Sequence, residues 1–333
     1  MRRELREGNR RVFSRILLQA MAHCFETGSQ VILFLNRRGS ASSLQCRQCG
    51  FALRCRRCDI SMVYHRDTDR LLCHYCGDRR IPPPKCPQCL GYRMVYSGVG
   101  TKTVVAELSK LYPAEKILRW DRDSASSPAA HERLLEQFRS REAQVLVGTQ
   151  MIAKGLHFPS VTLVGVVSAD VGLNVPDFRG GERAFQLLSQ VAGRSGRGPS
   201  EGRVIVQTYQ PENYAIKHAA TQDYQHFFHR EITYRREQGN PPFSGLIRLL
   251  CTHINRTLCE REAQRLGGLL REERDSWGFS DTEILGPTPA HPAQLRGYHR
   301  WQLILRGADP RMLLDKVVVP KGWVIDVDPV GMD

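Results

Sequence analysis

The fold is decided by residues 148–197, which contain GTQMIAKG (148–155), VTLVGVVSAD (161–170), PDFRGGERAFQLLSQ (176–190) and QVAGRSGR (190–197). The first segment follows an apolar run, AQVLV (143–147), and the second is itself largely apolar until it ends at Asp170. Short apolar runs that end in Gly, Thr or Asp are typical of buried parallel strands, and such sheets bind ligands at the carboxyl ends of their strands. The sequence therefore predicts an α/β fold with a ligand site at one sheet edge.

The closing segment carries two arginines at helical spacing. Gln190, Arg194 and Arg197 follow one another at intervals of four and three residues, which places them on one face of a helix. Two fixed guanidinium groups beside a glycine-rich backbone suit a polyphosphate transition state. The alternative is a solvated basic helix end. The phosphate interpretation is favoured because Gly148, Thr149 and Gln190 are expected at the same edge of the predicted sheet.

The composition indicates a basic protein with more than one domain. A length of 333 residues predicts two or three domains, and a hydrophobic content of 41% allows a sizeable core. The net charge of +14 favours a polyanionic partner, with nucleic acid as the first candidate. The N-terminal MRRELREGNRR lacks the apolar stretch of a signal peptide, and the longest apolar runs are too short to span a bilayer, which takes about 20 residues. We therefore expect a soluble cytoplasmic protein with no membrane partner.

Cysteines carry the strongest local signal. Eleven cysteines without an export signal indicate metal binding in a reducing compartment. Eight of them form four CxxC pairs, which are Cys46/Cys49, Cys55/Cys58, Cys73/Cys76 and Cys86/Cys89. Eight thiolates supply two tetrahedral zinc sites without an open coordination position, which is the structural type of site. Gly50 and Gly77 directly follow two of the pairs and let backbone N–H groups turn towards sulfur.

The spacing leaves the pairing of the CxxC pairs open but favours a nested arrangement. The loop between Cys49 and Cys55 is tight for wrapping one ion. In the nested arrangement, site 2 (Cys55, Cys58, Cys73, Cys76) lies inside site 1 (Cys46, Cys49, Cys86, Cys89), and one hairpin closes both. Residues 46–93 hold ten Lys/Arg and four Asp/Glu, and two zinc ions with eight thiolates would reduce the net charge of this segment to about +2, which suits a phosphate backbone. We interpret His65 and His74 as ordinary polar residues.

Three basic residues are candidate contacts to DNA. Arg37 and Arg38 lie in the polar turn NRRG (36–39) that ends the apolar run QVILFL (30–35), where a phosphate contact and ordinary surface charge both agree with the sequence. Lys102 lies at a predicted helix start after a glycine-rich turn, and such a helix start would bind a phosphate. The turn is not a P-loop, because Thr101 precedes Lys102 and the glycines are misplaced.

The cysteine-rich segment interrupts an αβ pattern. This predicts a discontinuous lobe at 1–45 and 92–210 and a zinc-binding insertion at 46–91. A helical linker and a C-terminal α+β domain are predicted for 211–333, where strand and helix patterns alternate after NPPF (240–243). Residues 286–301 mix Pro, Arg and aromatics, as in an exposed nucleic-acid loop, although a surface loop that caps the sheet agrees equally well.

Together these motifs resemble the primosomal protein N′ (PriA) family of bacterial replication-restart helicases of superfamily 2. The motifs extend over nearly the whole chain and are FLNRRG (34–39), the eight-cysteine insertion, GTQMIAKGLHFP (148–159), AD (169–170), PDFRGGER (176–183), QVAGRSGR (190–197), GPTPA (286–290), YHRW (298–301) and DVDP (326–329). The resemblance implies the second RecA-like helicase lobe, a parallel sheet with an inserted two-zinc Cys-rich module, followed by a small α+β C-terminal domain. Ser195 and Leu156 depart from the usual Ala and His of the family, but neither departure removes a guanidinium or a metal ligand.

The resemblance also implies roles for individual residues. Arg194 and Arg197 would be arginine fingers aimed at the ATP γ-phosphate, and Gln190 would position the nucleotide or its water. Six further residues would couple DNA to the nucleotide, namely Gly148, Thr149, Gln150, Lys154, Gly155 and Asp170. The implied partners are forked DNA, junctions of single strand and duplex, single-stranded DNA-binding protein and other primosome proteins.

One part of the family pattern is absent from these 333 residues, which contain no Walker A match and no Asp-Glu dipeptide. ATP hydrolysis requires a phosphate cradle and a held Mg²⁺, which an arginine finger cannot replace. The sequence therefore predicts part of a 3′-to-5′ DNA helicase that does not hydrolyse ATP alone, as a fragment, one half of a split helicase or a degenerate copy. The alternative function is a non-enzymatic zinc-containing DNA-binding scaffold. Two structural Zn²⁺ are expected in either case, and ATP with Mg²⁺ only if a first lobe is supplied.

Overall fold

The computed structural model describes residues 1–36, 43–96, 100–121, 123–125, 127–149, 158–193 and 202–332. Within these ranges, five parallel strands form one sheet, namely β1 (Gln30–Leu35), β7 (Ile117–Trp120), β8 (Val145–Gly148), β9 (Val161–Ser168) and β10 (Arg203–Val206). Their order across the sheet is β10-β9-β1-β8-β7. The central strand β1 is buried along its whole length, as expected for a strand that is covered on both faces. The predicted parallel sheet is confirmed.

Alternate residues of β1 point into two cores on opposite faces of the sheet. Ile32 and Phe34 belong to one core, and Val31, Leu33 and Leu35 belong to the other. The helices of this lobe are α1 (Arg2–Arg6), α2 (Arg15–Glu26), α3 (Thr101–Leu108), α4 (Pro128–Arg139), α5 (Asp170–Leu173), α6 (Gly180–Ala192), α7 (Tyr214–Ala220) and α8 (Tyr224–Glu237).

Helices α7 and α8 lie in the segment predicted as a linker, yet they pack on the parallel-sheet lobe. Ala215 of α7 and Phe227 of α8 are buried in the same core as Phe34. The ring of Phe227 stacks on that of Phe185 in α6, with centroids 4.0 Å apart. These two helices therefore complete one face of the lobe.

The cysteine-rich insertion is closed at its base by a strand pair. Strand β2 (Leu44–Cys46) runs antiparallel to β6 (Met94–Tyr96). Between them, β3 (Val63–His65), β4 (Arg70–Leu72) and β5 (Arg79–Arg80) form a small antiparallel sheet. The insertion therefore leaves the lobe after β1 and returns to it before α3.

The C-terminal part is an antiparallel sheet with one long helix. In the wholly described stretch 202–332, the strands are β11 (Gly245–His253), β12 (Glu283–Leu295), β13 (Tyr298–Gly307) and β14 (Trp323–Val327), in the order β12-β13-β11-β14. Helix α9 (Arg256–Ser276) covers one face with Leu266 and Leu270, and α10 (Arg311–Leu314) follows β13. The side chain of Asn255 caps α9 by accepting a hydrogen bond from Leu258 N at 3.1 Å. The predicted α+β arrangement is confirmed.

The prediction of a loop at 286–301 is wrong. These residues form most of β12 and the start of β13, joined by a turn at 296–297. Prolines in this segment favour a loop because proline has no N–H group to donate a hydrogen bond to a neighbouring strand. Strand β12 tolerates them because it lies at the sheet edge and its pairing with β13 shifts register between Leu285 and Thr288 and between Pro289 and Gln294.

The longest helix of the described residues is amphipathic. The 21-residue α9 buries only one stripe and carries several charged residues on its other faces. In the described parts of the chain, no helix combines the length and apolar character needed to cross a membrane.

Candidate metal clusters and the carboxyl edge of the sheet

Eight cysteines of the insertion form two clusters among the residues described. Cluster A consists of Cys46, Cys49, Cys86 and Cys89, and cluster B of Cys55, Cys58, Cys73 and Cys76. In each cluster, the four sulfurs lie within 4.8 Å of one another. The structure thus brings the CxxC pairs together in the nested grouping.

The sulfur spacing fits tetrahedral zinc. Four thiolates at about 2.3 Å from one ion lie about 3.8 Å apart. The observed Sγ–Sγ distances are close to this value, at 3.7 Å for Cys46 and Cys89 and 3.6 Å for Cys55 and Cys76. Burial raises the pKa of the Cys49 thiol to about 12, and a divalent cation at this position would favour the thiolate form. Both clusters have the donors and the geometry of a closed structural site.

Glycine makes the turn after one CxxC pair in each cluster. Gly50 and Gly77 have φ values of +86° and +81°, in the left-handed region that favours glycine. Gly50 N donates a hydrogen bond to Cys46 O at 2.8 Å, and Gly77 N donates to Cys73 O at 2.9 Å. These bonds close the two loops around the sulfurs.

Cluster B lies in a hydrophobic core shared by three parts of the chain. The insertion contributes Ile60 and Met62 beside the buried cysteines, the parallel-sheet lobe contributes Phe178, and the C-terminal sheet contributes Leu285 and Ile304. Cluster A differs, because Cys89 is exposed. Loss of a metal from cluster B would therefore disturb all three parts, whereas cluster A lies at the periphery.

His74, which contacts His65 within the insertion, joins the insertion to the C-terminal sheet. The Nε2 atoms of the two histidines lie 3.1 Å apart, and His74 Nδ1 donates to the carbonyl oxygen of Pro289 at 2.8 Å. A carbonyl only accepts hydrogen bonds, so His74 Nδ1 carries the proton. Burial, together with the nearby His291, lowers the pKa of His74 to about 3. Neither histidine replaces a cysteine ligand, and the polar contact with the C-terminal sheet is made by His74.

The carboxyl edge of the parallel sheet carries the predicted residues Gly148, Thr149 and Asp170. Gly148 is the last residue of β8, Thr149 follows it, and Asp170 lies just beyond β9. The Asp170 side chain is buried, and its Oδ1 accepts hydrogen bonds from Gln45 Nε2 at 3.1 Å and Thr208 Oγ1 at 3.0 Å. Its Oδ2 accepts from Tyr209 N at 2.9 Å. Burial raises the pKa of Asp170, although these hydrogen bonds oppose the shift.

The other predicted residues lie at the surface or outside the described ranges. Gln190 is exposed on the last turn of α6, which ends at Ala192. Lys102 has a side chain that is 70% exposed, with Nζ 3.8 Å from the carboxylate of Asp123. The predicted residues outside the described ranges are Arg37, Arg38, Gln150, Lys154, Gly155, Arg194 and Arg197. Of the helical face predicted for Gln190, Arg194 and Arg197, only Gln190 lies within the described residues.

Sequence reasoning missed the residues that join the parts of the chain. Arg57 Nε donates to Glu283 Oε1 at 2.8 Å across 226 positions of sequence. Gln45 contacts Asp170. The only local feature that could have drawn attention to Gln45 is its position directly before Cys46. Arg57 likewise lies inside a CxxC pair, but nothing local indicates its partner.

Family models match each part of the chain. A helicase conserved C-terminal domain matches residues 103–199, the PriA DNA helicase Cys-rich region matches 55–80, and the primosomal protein N C-terminal domain matches 236–330. The fold and the clusters thus define the C-terminal lobe of a helicase, with a cysteine-rich module inserted and a further domain after it.

Two curated relatives of the chain carry the same name. The chain is 44% identical over 306 residues to the replication restart protein PriA of Bacillus subtilis, covering 92% of this chain and 38% of that protein. It is 39% identical over 348 residues to that of Synechocystis, covering 100% of this chain and 41% of that protein. The Pyrococcus furiosus Hef helicase domain aligns at 18% identity with a TM-score of 0.30, over 62% of this chain and 27% of that one. The chain belongs to the PriA family of replication restart proteins, and it spans about two fifths of the length of these curated relatives.

Proposed function

We propose that this chain provides the second motor lobe, the zinc module and the C-terminal domain of an ATP-dependent 3′-to-5′ DNA helicase. That helicase would act in the cytoplasm, bind forked DNA and help load the primosome during replication restart. The supporting observation is the arrangement of three units in one chain, in which a parallel-sheet lobe is interrupted by clusters A and B and followed by an antiparallel sheet. A PriA or helicase family model matches each of the three.

The nucleotide would meet this lobe at the carboxyl edge of the parallel sheet, where Thr149 lies. Gln190, Arg194 and Arg197 would face the triphosphate, because guanidinium groups stabilise charge that develops on a transferred phosphoryl group. The residues that would couple DNA to the nucleotide are Gly148, Thr149, Gln150, Lys154, Gly155 and Asp170. Hydrolysis also needs a Walker A lysine and an acidic Mg²⁺ ligand, which a first lobe would supply.

Clusters A and B would each hold one structural Zn²⁺ that fixes the fold of the insertion. The net charge of +14 supports a DNA partner. Arg37, Arg38 and Lys102 would contact its phosphates. The exposed side chain of Lys102 is accessible to such a contact. Single-stranded DNA-binding protein and other primosome proteins are the further partners that family membership suggests.

ATP hydrolysis stimulated by forked DNA tests the motor assignment. It is measured with this chain alone and with the first lobe of the Bacillus subtilis relative added as a separate protein. We expect turnover only in the mixture, and Arg194→Ala should lower it by about 10³-fold, the typical value of an arginine finger. Arg203→Ala, at an exposed position of β10, is the matched control and should keep full turnover.

Either of two other outcomes would change the proposal. Turnover by the chain alone would contradict the need for a first lobe. No turnover in the mixture, with fork binding intact, would favour the second candidate, a non-enzymatic zinc-containing DNA-binding scaffold, which the basic charge also supports.

A further inference from the structure

A buried hydrogen bond links the parallel-sheet lobe to cluster A. Gln45 lies in β2 and directly precedes Cys46, and its Nε2 donates to Asp170 Oδ1 at 3.1 Å. Both side chains are buried, with 3% of Gln45 and 1% of Asp170 exposed. A hydrogen bond to a carboxylate is stronger than one between neutral groups, and burial strengthens it further. This bond therefore holds the start of the Cys46–Cys49 loop against the lobe.

A second contact lies beside the first and depends on the same carboxylate. Asp170 accepts hydrogen bonds from Thr208 Oγ1 and Tyr209 N, which fix the segment after β10. The carbonyl oxygen of Tyr209 in turn faces Gly50, the residue after Cys49, so closely that a Cβ on Gly50 would lie 2.1 Å from it. One carboxylate thus supports the Cys46–Cys49 loop from both of its ends.

We propose that Asp170 is a positioning residue that fixes the Cys46–Cys49 loop of cluster A to the carboxyl edge of the parallel sheet. The nucleotide-coupling role that the family resemblance implies for Asp170 stays a prediction, and the positioning role rests separately on a buried carboxylate that accepts hydrogen bonds from three donors of this chain. Cluster B has a different support, the core that it shares with the C-terminal sheet. Movement of the sheet edge would therefore displace cluster A and leave cluster B in place.

The rate of zinc release from the full chain tests this role, and that readout rests on the proposed zinc occupancy. In Asp170→Asn, an amide donor replaces one acceptor oxygen opposite Gln45 or Tyr209. We expect one zinc ion to pass to a chromogenic chelator about tenfold faster than in the unchanged chain, as the loss of a hydrogen bond to a charged group predicts. The other ion should leave at an unchanged rate. Alkylation and peptide mass spectrometry should identify the newly reactive thiols as those of cluster A.

A matched control and a second variant distinguish a positioning role of Asp170 from a general destabilisation of the fold. Asp177→Asn alters another carboxylate of the lobe, 4% exposed and paired with Arg183 at 2.9 Å, and should not release cluster A selectively. Gln45→Leu removes the donor of the bond and should reproduce the selective release. The double variant of Asp170→Asn and Gln45→Leu should release zinc no faster than the faster single variant, because both remove the same interaction.

Equal acceleration of both ions, unchanged release, or additive effects in the double variant would each overturn the proposal. Hydrogen exchange supplies an answer that does not depend on zinc. The amides of Cys46 and Gly50, bonded to Phe51 O and Cys46 O in the structure, should lose protection in Asp170→Asn. Retained protection would refute the positioning role, whereas lost protection in a chain that binds no zinc would refute only the zinc assignment.

Discussion

Arg57 of the insertion donates two hydrogen bonds to Glu283 of the C-terminal sheet, from Nε at 2.8 Å and from Nη2 at 2.5 Å. The other carboxylate oxygen accepts from Arg306 Nη2 at 2.6 Å. Glu283 thus bridges the Cys55–Cys58 loop of cluster B and strand β13. Burial alone would raise the pKa of Glu283, but the two arginines outweigh it and hold the pKa below its ordinary value.

This bridge predicts a stability that depends on pH. Because the folded pKa is depressed, the stabilisation is present above the unfolded glutamate pKa of about 4.3 and is lost as the pH falls through the folded pKa. Glu283→Gln should lower the free energy of unfolding at neutral pH by about 1 kcal/mol, a value discounted for the partial exposure of the pair. Urea unfolding at neutral and acidic pH measures the difference, which should shrink in acid.

The control for that prediction is Glu212→Gln. Glu212 pairs with Lys217 at the surface, where its side chain is 72% exposed, so its replacement should leave stability nearly unchanged. If Glu283→Gln lowered the free energy of unfolding equally at neutral and acidic pH, the result would contradict the charged bridge.

The two clusters should respond differently to loss of their ligands. Replacing Cys55 and Cys58 by Ser should release about half of the bound zinc and unfold the inner part of the insertion around cluster B, because structural zinc binding contributes folding energy. It should also expose amides of β11 and β13, since cluster B shares its core with the C-terminal sheet. Replacing Cys86 and Cys89 should release the other half and leave those strands protected. Metal analysis and hydrogen exchange measure both effects, and unchanged zinc content would contradict the ligand assignment.

Gly50→Ala should be strongly destabilising. A residue with a Cβ is strained at a φ of +86°, and this Cβ would also meet Tyr209 O at 2.1 Å. We expect a loss of about 3 kcal/mol in thermal or urea unfolding. Gly239→Ala is the matched control, since Gly239 has a φ of +57° but no atom within 4 Å of the added Cβ. It should lose only about 1 kcal/mol from backbone strain. Equal losses of stability in Gly50→Ala and Gly239→Ala would mean that Tyr209 moves away from the added Cβ at little cost, which would contradict the prediction.

DNA affinity should fall as salt rises. Each lysine or arginine that contacts a phosphate adds about 0.9 to the slope of log affinity against log salt for duplex DNA. Lys102→Ala should weaken binding to all sequences alike and reduce that slope by about one. Lys110→Ala, at a lysine paired with Glu107 at 2.6 Å, should leave the slope unchanged. Binding that does not depend on salt would refute the role of charge.

The local sequence determined the central strands and the cysteine ligands, whereas the grouping of those cysteines into clusters A and B came from the structure. Apolar runs predict β1, β8 and β9, because a strand covered on both faces must be apolar throughout. The CxxC pairs indicate metal sites, because two residues between cysteines place both sulfurs within reach of one ion. Such signals depend on neighbours in sequence and can be found without a fold.

Only the tertiary structure decided how the parts meet. The proline-rich residues 286–295 become an edge strand because β13 pairs with them. Asp170 binds Gln45 across 125 positions, and Arg57 binds Glu283 across 226. These carboxylates meet their hydrogen-bond donors only where segments distant in sequence pack together, and that packing depends on the whole chain. The sequence therefore determined the lobes and the cysteine ligands, whereas the contacts that hold cluster A and cluster B in place arise only when those lobes fold together.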